Sequence, residues 1–376
     1  MRITNKIIAA GITAVLFTSC ATFNSPEFQK NLGISLADSL ASKETALLYY
    51  NLKNLQKDSV IFGHQHSTAY GVHWRGDKNR SDVKDVTNSF PGLHGWDFGD
   101  VTNIKDTSEI NRYKRLTTES YMRGGVNAYA WHYNNPVTGR SFYDTSTVVK
   151  YILPGADFNE KYKQDLKKIA DYAISLKGVD NENIPLIFRP YHEFDGNWFW
   201  WGKHFCTADE FINLWRFTVS YLRDSLGVRN FIYAYSPDRN FNDAAEYLER
   251  YPGDKYVDLL GMDNYWDFTD SGDGLSAVNQ KLRIVSKLAS DKNKIAALTE
   301  TGLERIPDST WWTQKLLKTI IDDSIKISYV MVWRNAHPGH YYVPYKGDKS
   351  ADDFIRFKEQ LNILFEDELP PLYYLR

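Results

Sequence analysis

Between residues 59 and 335, short apolar runs alternate with longer amphipathic stretches, and most of the apolar runs end in polar or aromatic residues. The runs SVIFGHQH (59–66), LHGWDFGD (93–100), GGVNAYAWHYN (124–134), PLIFRPYHE (185–193), NFIYAYSPD (230–238), VDLLGMDNYW (257–266), KIAALTETG (294–302) and ISYVMVWRN (327–335) predict strands. Their near-continuous hydrophobicity suits strands covered on both faces. NEKYKQDLKKIADYAISLK (159–177), ADEFINLWRFTVSYLRDSLG (208–227) and AVNQKLRIVSKLASD (277–291) repeat apolar positions at helical spacing. Eight strands separated by helices predict an α/β chain with one (β/α)8 barrel domain over residues 41–376. A doubly wound open sheet is the alternative, and no glycine-rich phosphate loop follows the first strand to favour it.

The N-terminus reads differently. Arg2 and Lys6 precede the apolar run IIAAGITAVLF, which is too short for a membrane span and suits a secretory signal over residues 1–19. The run ends in LFTSC, which resembles a bacterial lipoprotein signal with Cys20 as the lipidated first residue. Residues 20–40 are then expected as a tether, and the outer membrane as a partner through the N-terminal lipid. The following ATFNS lacks the acidic run of a surface-export signal, so the expected location is the periplasmic face of that membrane, with the cell surface as alternative. The other cysteine is Cys206, so a lipidated Cys20 leaves no disulfide to form.

Charge and composition narrow the class of partner. A net charge of −2 gives no basic footprint for nucleic acid. A monomer is expected. Aromatic residues make up 15% of the chain, with 11 Trp and 25 Tyr. That suits either sugar binding or a tryptophan-rich core, and composition alone leaves both open.

The chemistry collects at the strand ends: His64 and His66, Asp97 and Asp100, Trp131 and His132, His192 and Glu193, Asp263 and Tyr265, Glu300, Trp333 and Arg334. A barrel brings these ends to one face, where barrel active sites form. Glu193 and Glu300 fall at the expected strands four and seven. One such glutamate alone reads as a salt-bridge partner. Two at the mouth of one cleft suit glycoside hydrolysis, in which one carboxyl protonates the leaving oxygen and the other attacks or activates water. The stretch RPYHEFDGNWFWWG (189–202) interleaves five aromatics with Asp195, Gly196 and Asn197 after Glu193. Such a mixture suits a cleft that grips a flat, polar ligand, with at least one of Phe199 and Trp200 in the core.

RPYHEFDGNWFWWG resembles the acid/base segment of glycoside hydrolase family 26, the β-mannanase family, and LTETG (298–302) resembles its nucleophile segment. FGHQ, GWDFG, WHYNNP, DNYW and VMVWRNA extend the resemblance across most of residues 60–340. The resemblance implies a retaining enzyme with Glu193 as acid/base and Glu300 as nucleophile, acting on β-1,4-linked mannan, galactomannan, glucomannan or manno-oligosaccharides, in endo or mannobiose-releasing mode. It implies that His192 supports the catalytic pair by hydrogen bonding, that Trp198 stacks a sugar on the leaving-group side, and that Tyr265 orients the nucleophile. Trp333 is expected to floor the subsite of the attacked sugar, with Arg334 and His132 contacting hydroxyls on the non-reducing side. Arg189 is expected to hold a carboxylate inside the barrel, or to be purely structural. No cofactor and no metal are expected.

Two other readings remain. His64-Gln65-His66 is how a metal-dependent amidohydrolase-type barrel begins its metal site, but strands five and six end without histidine. A non-catalytic mannan-binding lipoprotein is the second, against which both glutamates stand in their expected contexts.

Overall fold

The computed structural model describes residues 23–375. The expected leader (1–19) and Cys20 lie outside the described residues. Eight parallel strands form the body: β1 Val60–Gln65, β2 Leu93–Asp97, β3 Val126–Ala130, β4 Leu186–Arg189, β5 Phe231–Tyr235, β6 Leu259–Asn264, β7 Ile295–Thr301 and β8 Tyr329–Val332. They pair in chain order, and β8 closes on β1 with Ile61 opposite Tyr329 and His64 opposite Val332. Helices such as Thr107–Met122, Asn159–Ser175, Ala208–Ser220 and Leu275–Asp291 lie between strands, so the chain is a (β/α)8 barrel.

All eight predicted runs contain a strand, but the strands are shorter than the runs. β3 stops at Ala130 and β4 at Arg189, four residues before Glu193. Ladder pairing lasts only through the barrel wall. Beyond the rim the backbone turns toward the next helix, and there the chemistry-bearing residues sit. The second predicted helical stretch (208–227) shows the same foreshortening: its α-helix ends at Ser220 and continues as a π turn over Tyr221–Ser225.

The described part of the expected tether is folded, which corrects the expected 20–40 boundary. Ser25–Asn31 is a helix capped by Asn24. The Gln29 side chain donates to Asp38 O (3.0 Å) and accepts from Leu36 N (3.0 Å). Ala37 N donates to Asp258 Oδ1 at 2.6 Å, ahead of β6, and Ser42 N to Arg229 O at 2.8 Å, ahead of β5. Ile34, Leu36 and Ala41 are buried. Their apolar side chains attach this segment to the N-terminal end of the barrel, opposite the site.

The tryptophans resolve the question that composition left open. Trp74, Trp96, Trp131, Trp200, Trp201, Trp215, Trp311 and Trp312 are buried in the core. Each such side chain is worth about 4 kcal/mol in area removed from water. Cys206 is a buried free thiol, so among the described residues this packing acts without a disulfide. The three tryptophans that are not buried, Trp198, Trp266 and Trp333, all lie just beyond the C-terminal ends of strands.

Candidate active site

Glu193 sits in the turn after β4, with φ at +54°. A non-glycine residue there is uncommon and costs energy, so its neighbours must hold it. Glu193 N donates to Ser236 O (2.9 Å) just past β5, and Gly196 N donates to Glu193 O (3.0 Å). The Asp195 carboxylate accepts from Asp238 N (2.6 Å) and Asn240 N (3.0 Å), tying the same turn to the loop after β5. Trp198 folds back so that its indole N–H donates to Glu193 Oε2 at 2.7 Å. That approach requires glycine at 196, because a Cβ there would lie 2.5 Å from the Trp198 ring.

The aromatic run therefore divides its labour. Phe194, Phe199, Trp200 and Trp201 are buried, and Trp198 alone remains half-buried at the cleft. Trp200 and Trp201 donate their indole N–H groups to Tyr133 O and His192 O, each at 2.8 Å, which staples the turn to the loop after β3 and to itself. Phe199 packs against His132 and His192, with Tyr143 stacked on its outer side.

Glu300 lies within β7, where the ladder shifts register on both sides. Leu298 faces Met262 and Val330, but Glu300 faces Asp263, and Thr301 faces Val332. One extra residue is accommodated between Leu298 and Thr301, and such a bulge re-aims side chains. Glu300 Oε2 accepts from the Tyr265 hydroxyl at 2.9 Å, and its Oε1 pairs with Arg189 Nη2. Arg189 Nη1 reaches Asp263 Oδ2 (2.6 Å) and Ser236 Oγ (3.2 Å), while Thr299 Oγ1 donates to Asp263 Oδ1 (2.7 Å). All of these groups except Tyr265 are buried. Arg189 thus bridges the nucleophile candidate and a second carboxylate, as its carboxylate-holding role required.

Oxygens of Glu193, Asp263 and Glu300 lie within 4.8 Å of one another. The Arg189 guanidinium supplies the cation that Asp263 and Glu300 need. Burial acts against that guanidinium's charge, but Asp263 and Glu300 outweigh it and hold Arg189 above its ordinary range. Among the described residues no cation pairs with Glu193 in this way. Burial, then the charges of Asp263, Asp238 and Glu300, push its carboxyl well above the usual range, and the Trp198 N–H opposes them. One carboxyl is therefore kept protonated beside another held by a cation and a phenol. This is the division of labour that acid and nucleophile require.

The loops after β2, β3 and β8 build the other side. Asp97 Oδ1 accepts from His132 N (3.0 Å) and Gly99 N (2.6 Å), and Oδ2 pairs with His132 Nδ1. Burial disfavours the Asp97 charge, but His132 and these N–H groups prevail and hold it at about 2. The fixed His132 ring lies 4.6 Å from His192 and 5.8 Å from Trp333 between centroids. Arg334 faces His66 and Tyr70 on the same side. His192 is placed beside the pair, but its ring makes no hydrogen bond to either glutamate among the described residues, and its buried Nδ1 has no partner. The expected hydrogen bond to the pair is therefore not made, and the ring packs instead against His132, Phe199 and Trp201.

His64 and His66 are buried at the end of β1, and burial holds both at about 3, in the neutral form. Among the described residues neither belongs to a group of three close ligand side chains. Sequence reasoning left Asp263, Asp97, Thr299 and Tyr143 without roles. The usable signal for Asp263 was the buried Arg189, whose fork asks for more than one acceptor.

The chain matches the model for Glycosyl hydrolase family 26 over residues 37–341. GH26C from Muricauda sp. superposes with a TM-score of 0.87 at 38% identity, covering 94% of this chain and 98% of that one. A GH26 β-mannanase from Bacteroides ovatus superposes with a TM-score of 0.85 at 42% identity, covering 89% and 98%. A mannan endo-1,4-beta-mannosidase of Bifidobacterium adolescentis is 34% identical over 352 residues, 87% of this chain but 35% of the relative. One from Bacillus subtilis is 28% identical, over 53% of this chain and 58% of its own length. The chain therefore spans only about a third to six tenths of these curated relatives. The barrel, the Glu193 turn and the Glu300 strand all fall within the matched residues, and the chain belongs to glycosyl hydrolase family 26.

Proposed function

We propose that the protein is a retaining β-1,4-mannanase acting on mannan, galactomannan, glucomannan or oligosaccharides cut from them. One observation carries the mechanism: the Glu193 and Glu300 carboxylates approach within 4.8 Å with opposite electrostatic support. Inverting enzymes place the two carboxyls about 6.5–9.5 Å apart to admit a water, and retaining ones about 5–5.5 Å. Protonated Glu193 gives its proton to the glycosidic oxygen as Glu300 attacks the anomeric carbon, and the leaving chain departs as an alcohol. Glu193, now ionised, takes a proton from water, which attacks from the face the leaving chain vacated and displaces Glu300, so the β configuration is retained. The mannan assignment is supported by the names of the relatives and by the cleft's indole and histidine lining. Proton NMR of the earliest product is expected to show the β-anomer ahead of mutarotation. An α-anomer appearing first would exclude double displacement.

Trp198 acts on this chemistry as well as on sugar. Its N–H favours ionised Glu193. Trp198→Phe keeps an apolar face and removes that donor, so Glu193 holds its proton to higher pH. The alkaline limb of kcat/KM reports loss of the acid's proton in the free enzyme. That limb is expected to move upward in Trp198→Phe, read on an aryl mannobioside. A limb that stays in place or moves down would show that this hydrogen bond does not tune the acid.

A further inference from the structure

Of the three tryptophans that are not buried, Trp198 contacts the acid and Trp333 stands beside His132. Trp266 is the third, 47% exposed, directly after Tyr265, whose hydroxyl holds the nucleophile. An exposed indole is ordinarily free to move, but this one is carried on a fixed backbone. Trp266 O accepts from Thr269 Oγ1 (2.7 Å) and Thr269 N (3.0 Å). The next residue, Asp267, is buried, with Lys281 Nζ at 2.7 Å and Asn264 Nδ2 at 2.8 Å on its carboxylate. The Arg239 guanidinium lies 5.5 Å from the Trp266 ring centroid and braces its face. A chain that fixes a large aromatic surface without burying it has prepared that surface for a ligand.

The barrel order says which ligand end it meets. Arg239 lies in the loop after β5 and Trp266 in the loop after β6, across the closed ring from β1 and β2. Asp97, His132 and Arg334 lie after β2, β3 and β8, so they occupy the other side. The Arg239 loop is tied to the Glu193 turn through Asp195, which accepts from Asp238 N and Asn240 N. Glu193 is the group that protonates the departing chain, so this rim borders the leaving-group side.

We infer that Trp266, braced by Arg239, is a stacking platform for a sugar of the leaving chain, outward of the unit that meets Trp198. The inference rests on the mannanase reading for the identity of that sugar. A platform of this kind favours substrates that extend past the cleaved bond, and so favours cutting within a chain. The test is Trp266→Ala, assayed on mannohexaose and on dinitrophenyl β-mannobioside, whose leaving group holds no sugar. Loss of a stacked aromatic contact is expected to lower kcat/KM on mannohexaose by roughly five- to tenfold and leave the aryl glycoside unchanged. Arg239→Ala, which keeps the indole but frees it, is expected to show the same selectivity with a smaller loss. An equal loss on both substrates, or none on mannohexaose, overturns the platform. Wild-type cleavage of mannohexaose tests the function, and the ratio of variant to wild type tests the platform, so each can fail without the other.

Discussion

Glu300→Ala is expected to lose activity on mannan and on dinitrophenyl β-mannobioside alike, by roughly 10^4-fold or more, because no covalent intermediate can form. Glu193→Ala is expected to lose about 10^2- to 10^4-fold on mannan, the range of a general acid, and much less in the first step on the aryl glycoside. Dinitrophenolate departs without a proton, so Glu300 can still attack. Hydrolysis of the glycosyl-enzyme then lacks its base, so Glu193→Ala should release a burst of dinitrophenolate and then slow. Azide, a nucleophile that needs no base, should restore the steady rate and leave a glycosyl azide. Glu300→Gln serves as a control for folding, since its carbonyl can still accept from Arg189 and Tyr265. Burst kinetics in the Glu300 variant and none in the Glu193 variant would mean the roles are exchanged.

The barrel was legible because parallel strands buried on both faces write themselves as continuous apolar runs, and eight runs at barrel spacing leave few alternatives. Glu193 was legible through the dense pattern around it, although its turn lies four residues past the strand that was thought to end there. What escaped was whatever depends on which strands become neighbours. Arg189 and Asp263 are 74 residues apart, and Asp97 and His132 are 35 apart, so each pair exists only once the ring closes. The bulge that aims Glu300 is invisible in KIAALTETG, because register is a property of two strands and not one. The same limit applied to tryptophan. Trp198 and Trp200 stand two residues apart in one run, yet one reaches Glu193 and the other is core. The packing of residues 25–41 beneath the barrel was missed because a helix of seven residues gives little periodic signal.

Arg189→Met is expected to cost about 3 to 5 kcal/mol of stability and most of the activity, the stability loss being the usual result of removing one partner of a buried ion pair. Arg189 is the guanidinium that Asp263 and Glu300 share, and all three are buried. Burial already pushes the Asp263 carboxyl well above the usual range, with Arg189 the main charge opposing it. Without that charge, two carboxylates face each other in a dry site, and the pair takes up a proton. A protonated Glu300 cannot attack, so kcat/KM should fall at all pH values and most steeply toward acid. Arg189→Lys keeps a charge but not a planar fork, and one ammonium cannot align with Asp263, Glu300 and Ser236 together. It should fold better than Arg189→Met and still turn over slowly. Adding Asp263→Asn to Arg189→Met removes one of the two uncompensated carboxylates. Urea unfolding should then show recovery of much of the lost stability, while activity stays low because Glu300 still lacks its cation. If Arg189→Met unfolds and turns over like the wild type, the bridge between the two carboxylates holds neither the fold nor the nucleophile.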